Sequence, residues 1–594
     1  MTGRRLTPPD GPATAPGAPG SSPAARLRGG RGSARGYLIA GLAVVAAAVA
    51  LALVLAGCAG ERASAPPGVL VVSVEQHSSW IRNFNPITTA AAVRWPTLAG
   101  IYEPLYVFNS VKSEFVPWLA VSHEWRENNM VLRMTTREGV RWSDGEAFSA
   151  RDVYFTFELM REFPALDRRG SWNFLEDVTL VDDNTVEFRF QRLYVPGLGE
   201  IAAQLIVPEH IWKDIEDPVA FPNESPVATG PFTEVRLFRN QLYELGRNPY
   251  YWQEGKPAVE ALRFPAYPSN DRANLALVFD EVDWAGNFVP AIDRVFVERS
   301  PETHDYWFPL TGSTIFLYVN TTRPPFDDVR ARKAFSLAVD RELLVDVALY
   351  RYTRPADATA LSDAFLSWKD PEALAAGDWV DFDIDSANAL LDEAGYEWGN
   401  EGYRLGDDGE PLTFEVLTVS GWSDWVRAAQ VISRGFEEIG VRTSVRTYDF
   451  GAWFQRVQEG DFDLSLGWSY EGPTPYTFYR WLMASETIEP VGEIAPGNWH
   501  RYGSSAADSV LAAFEAEADR EAQRLLAARL QRIFVREAPA IPLYPNPSWA
   551  EFNTGRFVGF PTEDDPYADP SPNKFDRGEC LLVLTTLRPR ETTD

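Results

Sequence analysis

The chain of 594 residues exceeds what one hydrophobic core supports, and its 45% apolar residues can fill two or three. Asp10 is the only acid and six arginines the only bases before Cys58, which leaves 83 acids against 49 bases in the remainder, a net charge of −34. A chain so acidic argues against nucleic acid as a partner and against anionic ligands drawn in by a basic field.

Residues 1–36 are rich in Gly, Pro, Ala and Arg, show no apolar period and are expected to be a disordered, positively charged n-region. The apolar run "GYLIAGLAVVAAAVALALVLAGC" follows, long enough to span a bilayer. It ends in Leu55-Ala56-Gly57-Cys58, which resembles a bacterial lipobox, where small residues admit signal peptidase II and the Cys thiol takes up lipid. Residues 1–57 are therefore expected to be a signal peptide, and 58–68 a lipidated Cys58 with its linker. The exported protein would then be anchored to a membrane through lipid, in a periplasmic space or on the outer face of the cell membrane. An uncleaved signal anchor is the alternative. With Cys58 in a thioether, Cys580 has no disulfide partner; in "GECLLVLTTL" it reads as a small strand residue.

Beyond the linker, "GVLVVSVEQ" opens as a β-branched strand, and strands and helices then alternate without a fixed repeat. In "GVRWSDGEAFSARDVYFTFELM" a strand ends at the turn Ser143-Asp144-Gly145, and Ser149 with Asp152 forms a capping box before the apolar run from Val153 to Met160. The run "SANALLDEAGY" reads as a helix stopped by Gly395. "LTFEVLTVS" is an alternating strand that runs into Gly421-Trp422-Ser423-Asp424-Trp425, with Ser423 as the expected helix N-cap; "FDLSLGW" runs into Trp468-Ser469-Tyr470, and "DEVDW" into Trp284 and Asn287. The expected class is mixed α/β with parallel sheets.

Six of these segments together resemble the extracellular solute-binding protein family 5, the receptors of ABC importers: "GVRWSDGEAFSARDVYFTFE", "TGPF", "RNPYYW", "FDDVRARKAFSLAVDR", "ALLDEAGY" and "APAIPLY", in the family order. Ser386 and Ala228 stand where Lys and Gly are common. The resemblance implies an α/β, two-lobed, periplasmic-binding-protein-like fold with an additional subdomain inserted in lobe I. By that analogy lobe I comprises 69–108, 227–318 and 549–594, the insert 109–226, and lobe II 319–548, with hinge closure around a ligand. It also implies ABC permease subunits as partners, a monomeric chain, no cofactor and no enzymatic activity.

The residues agree with binding rather than catalysis. No acid pair stands out among 84 carboxylates, "GWSYEG" spaces its glycines too widely for a nucleophile elbow, and the five histidines are scattered, which leaves no metal motif. The 20 tryptophans are the informative feature. Pyranose rings present flat C–H faces and a rim of hydroxyls, and an indole matches them with a broad apolar plane and one N–H donor. Trp284, Trp422 and Trp468 are the first candidates for stacking on a neutral oligosaccharide, followed by Trp80, Trp95, Trp425 and Trp499, with Tyr470 beside them. Core packing is the alternative for each; Trp118, Trp142 and Trp252 are assigned to it. Residues 281–326 and "GWSDW" resemble the cello-oligosaccharide branch of the family, which implies β-1,4-linked ligands, with Asn85, Asn287 and Asp424 as hydrogen-bonding partners. Asn85 before Pro86 equally fits a turn. Oligopeptide capture is the competing function; it needs charged groups for the peptide termini, and Arg94 and Arg480 are available without a motif around them.

Overall fold

The computed structural model describes residues 66–88, 100–574 and 578–591. The expected signal peptide, the lipidation site Cys58, Arg94 and Trp95 lie outside the described residues. Among the described residues no helix is long and apolar enough to cross a membrane.

Two sheets organise the molecule. The first has seven strands in the order His304–Tyr306, Glu551–Asn553, Trp284–Ala285, Val69–Ser73, Ala261–Pro265, Leu242–Arg247 and Phe232–Arg239. Val69–Ser73 is parallel to both of its neighbours and the remaining pairings are antiparallel. All five of its residues are buried, as expected of a Val- and Leu-rich strand when both faces of the sheet are covered. The second sheet runs Arg442–Tyr448, Thr413–Val419, Leu464–Trp468, Thr314–Val319, Ile541–Pro545, parallel across its first two pairings and antiparallel across the last two. Both sheets are therefore mixed, where parallel sheets were expected. Some antiparallel pairings are local, as between Phe232–Arg239, Leu242–Arg247 and Ala261–Pro265, while others come from 541–553, far along the chain, a pairing that local alternation cannot display.

Each sheet forms the centre of one lobe, and the chain passes between them at 307–313 and 546–550. The expected lobe boundary at 318 is corrected by this arrangement. Thr314–Val319 is hydrogen-bonded to Leu464–Trp468 and Ile541–Pro545, so it belongs wholly to the second lobe. Within the expected insert, Ala120–Arg126, Val131–Thr136, Thr185–Phe190 and Leu175–Asp182 form a separate four-stranded antiparallel sheet. Helix Ala150–Glu162 covers it, with Phe157 edge-on to Phe188 at 4.8 Å. The capping box is present: the Ser149 N–H donates to Asp152 Oδ2 at 2.9 Å, and the Ser149 hydroxyl accepts from the first turn.

Helix Ser423–Glu438 buries Trp425, Ala428, Ala429, Ile432 and Phe436, one stripe at helical spacing. Its N-cap is Trp422, one residue earlier than expected, and Ser423 is the first helical residue. Gly435 lies on the packed side, where a Cβ would approach Ala338 O to 1.9 Å. Helix Ile384–Ala394 stops at Gly395, whose φ of +96° is the left-handed conformation that glycine adopts without strain. Cys580 opens a short buried helix, Cys580–Leu584, instead of lying in a strand, because a short apolar run packs equally well in either form.

Candidate functional site

A cavity of about 960 Å³ lies at the carboxyl ends of the parallel strands of both sheets, where open α/β sheets place their ligands. Val69–Ser73 leads to Glu75 and Gln76, and Trp284–Ala285 to Asn287 and Phe288. From the second lobe, Thr413–Val419 leads to Trp422, and Leu464–Trp468 to Ser469, Tyr470 and Glu471. Ser110, Pro164 and Asp167 also line it.

The second lobe contributes an aromatic wall centred on Trp468. Its ring lies 5.3 Å from Trp499 at 85°, 5.9 Å from Phe454 at 13° and 6.2 Å from Trp425. Trp422 meets Trp425 edge to face at 4.7 Å, and Tyr470 stacks on Trp481 at 5.3 Å. Edge-to-face and offset pairs of this kind contribute about 0.5–1.5 kcal/mol each beyond burial, so the rings hold one another in place without a ligand. Gly421 allows this loop to approach the first lobe, since a Cβ there would lie 2.7 Å from Pro268 O.

The polar groups of the cavity divide into two kinds. Gln76 Nε2, Asn287 Oδ1, Trp422 Nε1 and Trp499 Nε1 are buried with no hydrogen-bond partner among the described residues. Asn287 is held by the donation of its side-chain N–H to Asn274 and of its backbone N–H to Glu551, which leaves the amide oxygen over. Leaving a buried polar group unpaired costs about 1–3 kcal/mol, which makes these four atoms candidate positions for a ligand or ordered water. The charged side chains, by contrast, are engaged within the protein. Asp424 accepts from Asn270 Nδ2 of the first lobe at 3.2 Å, and burial pushes its carboxyl up to about 6 against the opposing pull of nearby N–H donors. Lys574 donates to Glu471 at 2.7 Å, Asp167 accepts from the backbone of Ser171 and Trp172, and Glu579 accepts from Ser110. Glu75 and Arg168 also make contacts within the chain.

Of the expected site residues, the cavity brings together Asn287, Trp422, Asp424, Trp425, Trp468, Tyr470 and Trp499. Three others lie elsewhere. Trp80 is buried, donates its indole N–H to Phe264 O at 3.0 Å and stands edge-on to Tyr243. Trp284 is buried beside Phe560 and donates to Pro570 O at 2.8 Å. Asn85 holds a turn: its amide donates to Pro218 O and Phe221 O, and its oxygen accepts from Ile87 N. In each case a backbone partner supplied by a distant segment draws the side chain into the core. Trp118 and Trp252, assigned to packing, both donate to the buried Glu103.

Sequence reasoning missed Gln76, Phe450, Phe454, Trp481 and Trp549 on the cavity wall. Phe450 and Phe454 had a readable signal, an i, i+4 pair opening helix Phe450–Glu459 directly after a strand. Trp549 had none, because it lies on the second crossing between lobes, 4.9 Å from Phe308 on the first. Among the described residues no group of three or more His, Cys, Asp or Glu is placed to hold a metal ion.

The sequence model of the bacterial extracellular solute-binding proteins, family 5, matches residues 114–489. The chain belongs to this family. It is similar to the Di/tripeptide-binding protein 2 of Pseudomonas aeruginosa, 24% identical over 83% of this chain and 92% of the relative, and to the Nickel-binding periplasmic protein of Escherichia coli, 26% identical over 64% and 72%. Among solved structures, a mannohexaose-bound periplasmic oligopeptide-binding protein of Thermotoga maritima superposes with a TM-score of 0.80 at 24% identity, covering 89% of this chain and 99% of the other. A Bacillus subtilis oligopeptide-binding protein in complex with a nonapeptide gives 0.74 at 18% identity, covering 88% and 99%. The two-lobed fold is thus that of the family. The chain is a substrate-binding protein of an ABC importer, an extracytoplasmic partner of permease subunits and not an enzyme.

Proposed function

We propose that the family 5 protein captures a neutral oligosaccharide, of the β-1,4-linked cello-oligosaccharide type, between the aromatic wall of its second lobe and the amides of its first. One observation carries this: among the described residues that line the cavity, the buried atoms left without a partner are neutral amide and indole groups beside stacked rings, while the charged side chains there are engaged within the protein. A polyhydroxylated ring needs apolar faces and uncharged donors and acceptors, whereas the ammonium and carboxylate of a peptide need counter-charges. The mannohexaose bound by the Thermotoga maritima protein of the same fold supports the reading, and the peptide-binding relatives supply its competitor. A thermal-shift screen of cellobiose to cellohexaose, mannohexaose and tri- to pentapeptides separates them, since ligand at 100 times Kd stabilises the fold by about 2.7 kcal/mol. The expected result is a shift with β-1,4 oligosaccharides, strong quenching of Trp fluorescence and little dependence on salt. A shift with peptides alone overturns the assignment.

Membrane attachment through lipid on Cys58 belongs to the same proposal, supported by Leu55-Ala56-Gly57-Cys58 at the end of the apolar run. Partitioning of the protein into detergent is expected to be lost in Cys58→Ala; if it persists in a correctly processed Cys58→Ala chain, the anchor is not lipid on this residue.

A further inference from the structure

The loop after strand Leu464–Trp468 carries a ring and, three residues later, an acid. Trp468 belongs to the aromatic wall, and Glu471 reaches the opposite lobe, where its Oε2 lies 2.7 Å from Lys574 Nζ. Each partner is anchored to its own lobe by a near neighbour in sequence. Ser469 exchanges two bonds with Thr314 of the second sheet, N–H to Thr314 O and hydroxyl from Thr314 N, both 2.9 Å. Asn573 is bound to the first lobe by Glu75 N at 3.0 Å and by its own donation to Gly286 O at 2.8 Å. The Lys574 side chain is only 17% exposed and has a second acid, Asp569, on its own lobe at 3.8 Å. Separating the lobes therefore removes Glu471 from Lys574 and leaves Lys574 with Asp569. The pair can be made and broken by lobe movement without stranding the lysine, which is what a reversible closure contact requires.

We propose that Lys574 and Glu471 form a latch that holds the lobes shut over the aromatic wall, so that release of an uncharged ligand is governed by an ion pair. The two are positioning residues. The pair forms whenever the lobes meet, with or without a ligand, and its effect on a bound ligand belongs to dissociation, because leaving requires the lobes to part. The latch rests on the two-lobed fold, and its effect on sugar release rests in addition on the oligosaccharide assignment.

The test uses the full chain and Glu471→Gln, which keeps size and removes charge at a side chain that is 34% exposed. Without any ligand, acrylamide quenching of Trp fluorescence is expected to rise by about 1.5-fold as Trp422, Trp468 and Trp499 meet solvent more often. With cellotetraose, stopped-flow fluorescence is expected to show release about 10-fold faster and association unchanged within about 2-fold. Glu471→Asp, which retains the charge, should return quenching towards wild type, and a circular-dichroism melt close to wild type shows that quenching reports opening rather than unfolding. Wild-type quenching in Glu471→Gln overturns the latch, as does Glu471→Asp behaving like Glu471→Gln, or a loss confined to association. If wild type fails to bind cellotetraose, the oligosaccharide assignment falls, and the ligand-free quenching still decides the latch.

Discussion

The two lobes use the same residue types in opposite ways. In the first lobe Trp80 and Trp284 give their indole N–H groups to backbone carbonyls and vanish into the core, while the amides of Gln76 and Asn287 keep an atom unpaired at the cavity. In the second lobe Trp422 and Trp499 keep their N–H groups unpaired among the described residues, and their rings form the wall. What separates the first-lobe tryptophans from the cavity-lining ones here is the fate of a single N–H, since burial is nearly equal: Trp284 is 1% exposed and Trp499 is also 1%. A ring that is buried and bonded belongs to the fold; one that is buried and unbonded at a cavity is held ready for something else.

The sharpest break of this comparison is Trp284→Ala. It should cost about 3–5 kcal/mol of stability, the range for removing a buried aromatic from a core, and leave ligand affinity unchanged in the molecules that remain folded. Denaturant unfolding beside a titration measures both; a large loss of affinity at intact stability would place Trp284 with the second-lobe rings after all.

Asp424 lies where the lobes meet, and its titration tests how dry that junction is. Burial raises its carboxyl from the ordinary 3.8 to about 6, so the folded protein holds the proton more tightly than the unfolded chain. The stability this brings is complete below about pH 4 and is lost as pH rises through about 6. Asp424→Asn should therefore unfold like wild type near pH 4 and be more stable above about pH 7, by up to about 3 kcal/mol. Chemical denaturation across that pH range measures the difference, and a constant offset would mean that Asp424 is well hydrated.

Trp468→Ala should act in the sense opposite to Trp284→Ala. Loss of a central anchor of the wall is expected to weaken oligosaccharide binding by about 2 kcal/mol, with a smaller effect on the melt because the ring is only half-buried. The smallest expected effect is that of Asn287→Ala, about 1 kcal/mol of affinity for one neutral hydrogen bond. Calorimetric titration with the longest β-1,4 oligosaccharide that binds reads both, and equal losses would blur the division between a wall of rings and a wall of amides.

Much of this protein is legible along the chain, because the signals are local. The capping box at Ser149 and Asp152, the stop at Gly395, the strand leading into Trp422 and the strand leading into Trp468 depend on neighbours a few residues away, and the structure has them. Ser423 as the N-cap missed by one residue, since no side-chain hydrogen bond marks that helix start. The order of the family motifs carried the two-lobed architecture in the same way.

Tertiary structure alone decided which of the aromatic residues face the cavity. "DEVDW" and "FDLSLGW" both end a strand in tryptophan, yet Pro570, 286 residues away, captures the Trp284 indole, while the Trp468 ring packs against other rings and lines the cavity. It also decided that Thr314–Val319 joins the second sheet, through partners at 464–468 and 541–545. The physical reason is one of range. Helix caps, turns and strand period are satisfied by backbone groups close in sequence, whereas an indole N–H, an amide oxygen or a strand edge is satisfied by whatever distant segment the fold brings within about 3 Å, and a lone sequence does not record that meeting.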